Sequence, residues 1–349
     1  MVWEAFQRAE EDFYLLKWKS EKGRSWSKLN ATVKQLRIQL LGAIISAFVS
    51  FVAISSATYA WYVSNTTVTG TASTISAMAN NFVLQIGLLE NGAQHGDNNQ
   101  SLQAEVLGGK ISPSSTSNMK DWYVCNEWKT DGLVHSYMIP SDIDSKGKYV
   151  GADGEHYAFL CGEYILYTIT ETGICDVYLS PDDLNKYITV TQTAGEEEST
   201  TIPGSIRVGI TTQKMKADGS GVDTTQPEKL VLVYAPQNET GKGNDSGAIN
   251  GWTCVKDNTS LMTVPYTYIY GTETQASDGK TYVATKEGDD YLAPTTNGAT
   301  IASNVGYNGV AMRVYIWLEG TDAECVNTNG EADDMSTYSV VLTLAGVAK

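Results

Sequence analysis

Side chains able to do chemistry are present in this chain, but they are scattered. His95, His135 and His156 stand in separate segments without ligand spacing. No HExxH, GxSxG, Walker-type loop or Gly-rich dinucleotide turn is spelled out, so the common hydrolase and nucleotide-binding signatures are missing. Asp142-Ile-Asp144-Ser-Lys146-Gly147 opens like a calcium loop. Such a loop needs an oxygen donor where Lys146 stands and a bidentate Glu at its twelfth position, here Asp153. Asp142, Asp144 and Asp153 are therefore weak calcium candidates, and a solvated acidic turn explains the same residues. Asp218 and Asp223 form a weaker version, and Glu196-Glu197-Glu198 reads as a solvated loop. Carboxylate pairs for glycoside hydrolysis need no local motif, yet nothing singles one out. Trp122, Tyr123 and Trp128 suit a sugar platform, although aromatics in strand-rich chains more often fill the core. No catalytic residue, no cofactor and no enzymatic activity are expected.

The elements that must position these residues fall on two sides of one segment. Ile38 to Ala57 is a long uncharged, mostly apolar run. Twenty residues at a rise of ~1.5 Å make a helix of ~30 Å, the thickness of a bilayer's hydrocarbon core. Residues 1–37 carry eight Lys/Arg against five Asp/Glu, including Lys34 and Arg37 beside the run. The positive-inside rule keeps this leader in the cytoplasm and sends the C-terminal part outward. Trp3, Phe6, Phe13, Leu16 and Trp18 fit one face of an amphipathic helix at the inner surface, or a poorly ordered tail. Small residues at Ser55/Ala57 and at Thr58/Ala60 satisfy a signal peptidase on either register. The run is longer than a usual signal-peptide core, so a permanent single-pass anchor with Tyr59, Trp61 and Tyr62 at the interface is the alternative.

Taking a +3 leader from a chain of net charge −16 leaves −19 on the rest. That charge argues against nucleic acid, whose phosphates require a Lys/Arg excess. The five cysteines, Cys125, Cys161, Cys175, Cys254 and Cys325, all follow the apolar run and show no CxxC spacing. One or two disulfides in an oxidising setting and buried free thiols are both open.

Residues 61–349 read as strands joined by polar turns, rich in Gly, Tyr, Thr, Ser and Val. Val63–Ala79, Phe82–Leu89, Tyr187–Thr193, Ser205–Thr212 and Lys229–Tyr234 are strand-like. Tyr157–Thr170, a TETG turn and Cys175–Leu179 predict a hairpin. The sharpest alternation comes late: Val314, Ile316 and Leu318 share one face, and so do Val340, Leu342 and Leu344. The expected fold is all-β, an antiparallel sandwich preceded by one apolar helix. Residues near 91–156 and 236–304 are less periodic and read as long loops or decorations.

Ala57-Thr-Tyr-Ala-Trp-Tyr62, the Thr/Ser-rich stretch after it and Asn81-Phe-Val-Leu-Gln-Ile86 resemble exported proteins of Gram-positive bacteria with SipW-type signal peptides, among them the TasA/camelysin matrix-fibre group. Asp176-Val-Tyr-Leu-Ser-Pro181, Ser205-Ile-Arg-Val-Gly-Ile210, Leu230-Val-Leu-Val-Tyr-Ala-Pro236 and the stretch from Arg313 to Cys325 are similar to clostridial members of that class. The resemblance implies cleavage after Ala60, a jelly-roll-like sandwich, and a place at the cell surface or in the extracellular matrix (biofilm). It does not carry over fibre assembly automatically, because the long leader and the insertions depart from the fibre-forming branch. No LPxTG-like motif precedes the C-terminus, so sortase anchoring is not expected.

The leading expectation is a surface or matrix structural protein that self-associates. Its new N-terminal segment, punctuated by Val63, Val68, Ala72, Ile75 and Ala77, would add as a strand to a neighbour's sheet edge. A surface binding module is the alternative, and a secreted carbohydrate-active enzyme a distant third. Expected partners are signal peptidase, other copies or matrix proteins, and the membrane through residues 38–57 before cleavage. N-terminal sequencing of the secreted form is expected to read from Trp61, with Thr58 as the second choice. A stable full-length membrane form with no shorter product would overturn cleavage.

Overall fold

A computed structural model describes residues 69–70, 73–79, 84–95, 101–104, 111–130, 133–151, 154–181, 187–194, 197–199, 205–236, 252–258, 260–288, 290–322, 325 and 337–349. All belong to one compact unit, 61–349. The leader, the apolar run and the processing positions Ala57, Ala60 and Trp61 lie outside the described residues, as do Val63, Val68 and Ala72. Among the described residues no helix is long and apolar enough to cross a membrane.

The described chain is all-β, with one 3-10 turn at Leu89–Asn91. Its strands run β1 (Thr69–Gly70), β2 (Ser73–Ala79), β3 (Leu84–Leu88), β4 (Ser101–Ala104), β5 (Ser114–Thr116), β6 (Trp122–Trp128), β7 (Val134–Met138), β8 (Lys148–Gly151), β9 (Gly154–Tyr157), β10 (Leu160–Thr168) and β11 (Cys175–Leu179). They continue as β12 (Ile188–Ala194), β13 (Glu197–Ser199), β14 (Ile206–Lys214), β15 (Lys229–Ala235), β16 (Thr253–Asp257), β17 (Ser260–Thr263) and β18 (Tyr268–Tyr270). The last are β19 (Thr285–Glu287), β20 (Asp290–Leu292), β21 (Ala302–Val305), β22 (Val310–Leu318) and β23 (Thr337–Ala348).

Two large sheets carry the fold. The first is organised around β23, with β11 and β12 antiparallel on one side and β1 and β2 parallel on the other. Outside these lie β21, β13 and β4. The second runs β18-β15-β14-β22-β10-β3, antiparallel except for β15 and β18. The sheets share one apolar core. Leu160, Tyr164, Val208, Ile210, Val314 and Ile316 of the second sheet meet Val177, Leu179, Ile188, Val340, Leu342 and Leu344 of the first. The expected alternation holds: Val314, Ile316, Val340, Leu342 and Leu344 are buried, and Leu318 packs half-buried against the same core.

β22 is covered on its other face too. Tyr315 and Trp317 join Cys161, Val233 and Ala235 in a second apolar layer, closed by Trp122, Val124, Phe159, Trp252 and Cys254. Trp317 is 0% exposed. It fits because Gly209, opposite Tyr315 on β14, leaves the room a side chain would take: a Cβ there would sit 3.1 Å from Trp317 Cζ3.

Two expectations need correcting. β10 and β11 do not form a hairpin: β10 pairs with β22 and β3, whereas β11 pairs with β23 and β21. The TETG turn, closed by Gly173 N–H donating to the Thr170 carbonyl, is a corner between the sheets. Both strands bury one side in the shared core, which is the pattern a hairpin would also show. The less periodic segments are not simply loops either. They hold a three-stranded sheet β5-β6-β7, three short hairpins (β8-β9, β16-β17 and β19-β20), and the main-sheet members β4, β18 and β21. Most of these strands have three to five residues, too few to display a clear period of two, and the longer β6 breaks its register at Cys125, Glu127 and Trp128.

Leu342→Ala, which empties a fully buried position, is expected to cost about 3 kcal/mol in urea denaturation. Val150→Ala, at a position 74% exposed, should change stability by less than about 0.5 kcal/mol.

Candidate functional site

The richest polar cluster lies where β22 ends. Strand alternation puts Ile206 and Val208 in the shared core and Arg207 on the opposite face, under the insertions. Its guanidinium is buried, with Nη2 2.6 Å from Oδ2 of Asp322 and its carbon 4.6 Å from the centre of the Trp252 ring. A buried guanidinium without a counter-charge would cost several kcal/mol; Asp322, itself 0% exposed in its side chain, supplies the charge. Glu319 is buried beside them. Its Oε2 accepts the Trp317 indole N–H at 3.0 Å, and its Oε1 accepts the Thr321 backbone N–H at 3.2 Å. Burial pushes the Glu319 carboxyl above its ordinary value, against the pull of the Arg207 charge and of donors from Ser115, Trp317 and Thr321.

The corner Glu319–Asp322 is tied to three distant segments through backbone. Glu319 N–H donates to the Ser205 carbonyl (2.7 Å), and Gly320 N–H to that of Ser114 (2.9 Å). The Thr321 hydroxyl donates to the Thr253 backbone carbonyl (2.8 Å). Gly320 allows the approach, since a Cβ there would stand 3.0 Å from the Tyr137 ring. Beside the corner opens a cavity of about 250 Å³, lined by Lys129, His135, Tyr137, Asn258, Leu261 and the corner itself. Its lining combines a cation (Lys129), an imidazole (His135), an amide (Asn258) and the Asp322 carboxylate, a setting for a small polar ligand.

A second cluster crosses the outer face of the second sheet. Arg313 sits between two carboxylates, with Nε 2.9 Å from Glu163 and Nη1 3.1 Å from Glu228. Tyr315 O–H donates to Glu228, and Lys146 pairs with Glu163. Burial alone would raise the Glu163 carboxyl, but hydrogen bonds from Lys146 and Arg313 and their charges hold it below its ordinary value. A glycosidase acid needs the opposite shift. This arrangement is an ionic clamp between strands.

Of the calcium candidates, Asp144 serves its own turn. Asp144 Oδ1 accepts backbone N–H groups of Lys146 (2.8 Å) and Lys148 (2.9 Å), closing a tight turn. Gly147 completes that turn at φ +89°, where a Cβ would strike the Phe159 carbonyl. Asp142 is exposed and Asp153 lies outside the described residues. No group of three or more His, Cys, Asp or Glu among the described residues could hold a metal ion. Asp218 and Asp223 likewise cap their own turn through Ser220 and Thr225. Trp122 is buried in the layer over the second sheet, while Tyr123 and Trp128 pack half-buried against a separate small cluster of Cys125, Val134, Tyr137 and Val255. His95 stacks on Tyr307 with ring centres 3.5 Å apart, far in the chain from His135 at the cavity rim. All five cysteines are free and buried.

Of the expected assembly strand, Ile75 and Ala77 are described at backbone level: in β2 they stand in register with Leu342 and Leu344. Sequence reading missed the Arg207–Asp322–Glu319 cluster. The available signal was a charge inside an apolar strand run, Ile206-Arg207-Val208, which must point away from the core its neighbours occupy.

No family model matches the chain, and no curated protein or solved structure matches it either.

Arg207→Met, leaving Asp322 buried without its cation, is expected to cost about 3–5 kcal/mol by urea denaturation. Arg313→Met, at a partly exposed clamp, should cost about 1 kcal/mol or less.

Proposed function

We propose that this chain is an exported structural protein of the cell surface or extracellular matrix. In this reading residues 38–57 engage the membrane, signal peptidase cuts after Ala60, and residues 61–349 adopt a jelly-roll-like arrangement outside the cell. Subunits then assemble when the segment freed by cleavage adds to a neighbour's sheet. The proposal extends the resemblance to the SipW-type class and is non-enzymatic.

The observation that carries it is the pairing of β2. This strand lies parallel to β23 and antiparallel to β4, in register from Thr74–Val341 to Ala79–Gly346. Its slot is therefore a ready-made strand-binding site, bonded along both sides by backbone groups. Only residues 80–83 separate it from β3, which belongs to the other sheet. An equivalent strand from a second copy would find the same backbone partners, so exchange leaves the hydrogen-bond inventory unchanged. Donation of this kind is head-to-tail and produces filaments rather than closed dimers. A second reading, a surface binding module, is favoured by the open cavity at the Glu319–Asp322 corner.

Purified 61–349 is expected to form concentration-dependent oligomers by light scattering and filaments by electron microscopy. A chain starting at Asn80 should not, and a synthetic 61–79 peptide should bind it and raise its Tm. If both chains stay monomeric at high concentration, or both polymerise equally, strand donation is wrong and the binding-module reading takes its place.

A further inference from the structure

The cavity beside the Glu319–Asp322 corner has a charge balance unlike that of the whole chain. The net charge is −16, yet the one acid among the described lining residues is Asp322. Its carboxylate lies 2.6 Å from the Arg207 guanidinium, with 0% of its side chain exposed. Lys129, His135 and Asn258 line the same space, and none of these three side chains has a hydrogen-bond or ion-pair partner among the described residues. A concavity with a free cation, further free polar groups and no free carboxylate draws in negative charge.

Local backbone geometry fixes where the three stand. Lys129 N–H donates to the Leu133 carbonyl (2.7 Å), which closes the turn between β6 and β7 with both residues at the cavity. Glu127 faces Ser136 and Trp128 faces Val134, so His135 is the extra residue of a bulge. A bulge re-aims the side chain it carries; Val134 stays buried while His135 is exposed. Asn258 occupies the turn between β16 and β17, where Asp257 Oδ1 accepts the Ser260 N–H (2.9 Å). The Asn258 carbonyl also accepts the Tyr137 N–H from β7 (3.4 Å). These two turns and the corner after β22 are each held by their own hydrogen bonds, so the site is formed before a ligand arrives. The remaining wall is apolar, and its Leu261 side chain is 52% exposed. A volume of about 250 Å³ falls just under the ~300–1,000 Å³ of pockets that hold drug-sized ligands. One sugar ring is the right scale.

We propose that this cavity binds a hexuronate, a single sugar ring bearing a carboxylate. The carboxylate meets Lys129 and His135, ring hydroxyls meet the Asn258 amide, and the apolar ring face lies on Leu261. A phosphate, with nearly two negative charges, calls for clustered Arg/Lys or a nest of backbone N–H groups; one lysine and one imidazole suit a single charge. A neutral sugar leaves the lysine unanswered, and a simple acid leaves the amide and Leu261 unused. The inference rests on the binding-module reading and names its ligand; it does not depend on strand donation.

The test is isothermal titration calorimetry of the full chain in a polyoxyethylene detergent, which carries no sugar. Sodium glucuronate, methyl glucuronoside, glucose and sodium acetate are the probes, at equal ionic strength. Glucuronate is expected to bind with a Kd of about 1 mM, and glucose and acetate at least about tenfold more weakly. Lys129→Met should weaken glucuronate by about tenfold, and Leu261→Asp, which sets a carboxylate against the ligand's own, should abolish binding. Lys216→Met, at an exposed cation outside the cavity, should change nothing. All three positions are exposed, so the variants should melt with the parent chain. Methyl glucuronoside binding as well as the free acid assigns the site to a chain end of a uronate polysaccharide, and its failure to bind assigns the site to the free acid. Glucose binding as tightly as glucuronate, unchanged in Lys129→Met and lost in Leu261→Asp, would overturn the anionic class while leaving the cavity a binding site. No heat from any probe, or glucuronate binding that survives Leu261→Asp, would overturn the site and the binding-module reading with it.

Discussion

A guanidinium removed from water must be met by an opposite charge, and the architecture around β22 answers that requirement at Arg207. The Asp322 carboxylate that meets it lies just past the strand's end, so the chain has to turn sharply there. The turn brings backbone donors of residues 319 and 320 and the Thr321 hydroxyl to Ser205, Ser114 and Thr253, which belong to three different stretches of chain. Two of those stretches are the insertions that cover Trp317. The buried charge cluster is thus a registration device: it fixes where the covering strands sit over the sheet. Buried ion pairs contribute little net stability but penalise any alternative packing that separates them.

The two faces of the sandwich differ in consequence. The second sheet is buried on both sides, so its central strand reads almost continuously apolar or aromatic from Ala311 to Leu318. The first sheet has cover over one end of its outer face, where the β19-β20 hairpin places Tyr291 against Tyr178 and Ala345. Further along β12 and β23, Thr189, Val341 and Thr343 remain half-exposed. Thr and Ser tolerate a half-exposed pleated surface because the β-branch or short chain suits the strand while the hydroxyl stays hydrated.

Much of this was legible in the residues. β22 and β23 are long enough for alternation to show, and the inward faces of Val314, Ile316 and Leu318 and of Val340, Leu342 and Leu344 were readable before any coordinates. What alternation cannot report is which strands pair. Tyr157–Thr170 and Cys175–Leu179 look like a hairpin because a turn between two half-buried strands reads the same whether the chain doubles back or crosses to the facing sheet. The short strands β18 and β21 were hidden for want of length. Asp144 illustrates a further limit: a carboxylate capping backbone N–H groups and one awaiting a cation share the same Asp-rich, Gly-containing sequence. The Arg207 cluster was hidden because its partners lie more than a hundred residues apart.

The position of β23 has a kinetic side. It is the middle strand of the first sheet and follows every other strand of that sheet in chain order. Until it is in place, β2, β11 and β12 have no common neighbour to pair with, and the first sheet has no centre. Its ladder with β2 joins residues separated by more than 260 positions, a very non-local closure of the sort that makes folding slow. The first sheet of a chain emerging N-terminus first would therefore stay open until its last strand arrives. Slow, end-dependent closure leaves unpaired strand edges exposed in the meantime.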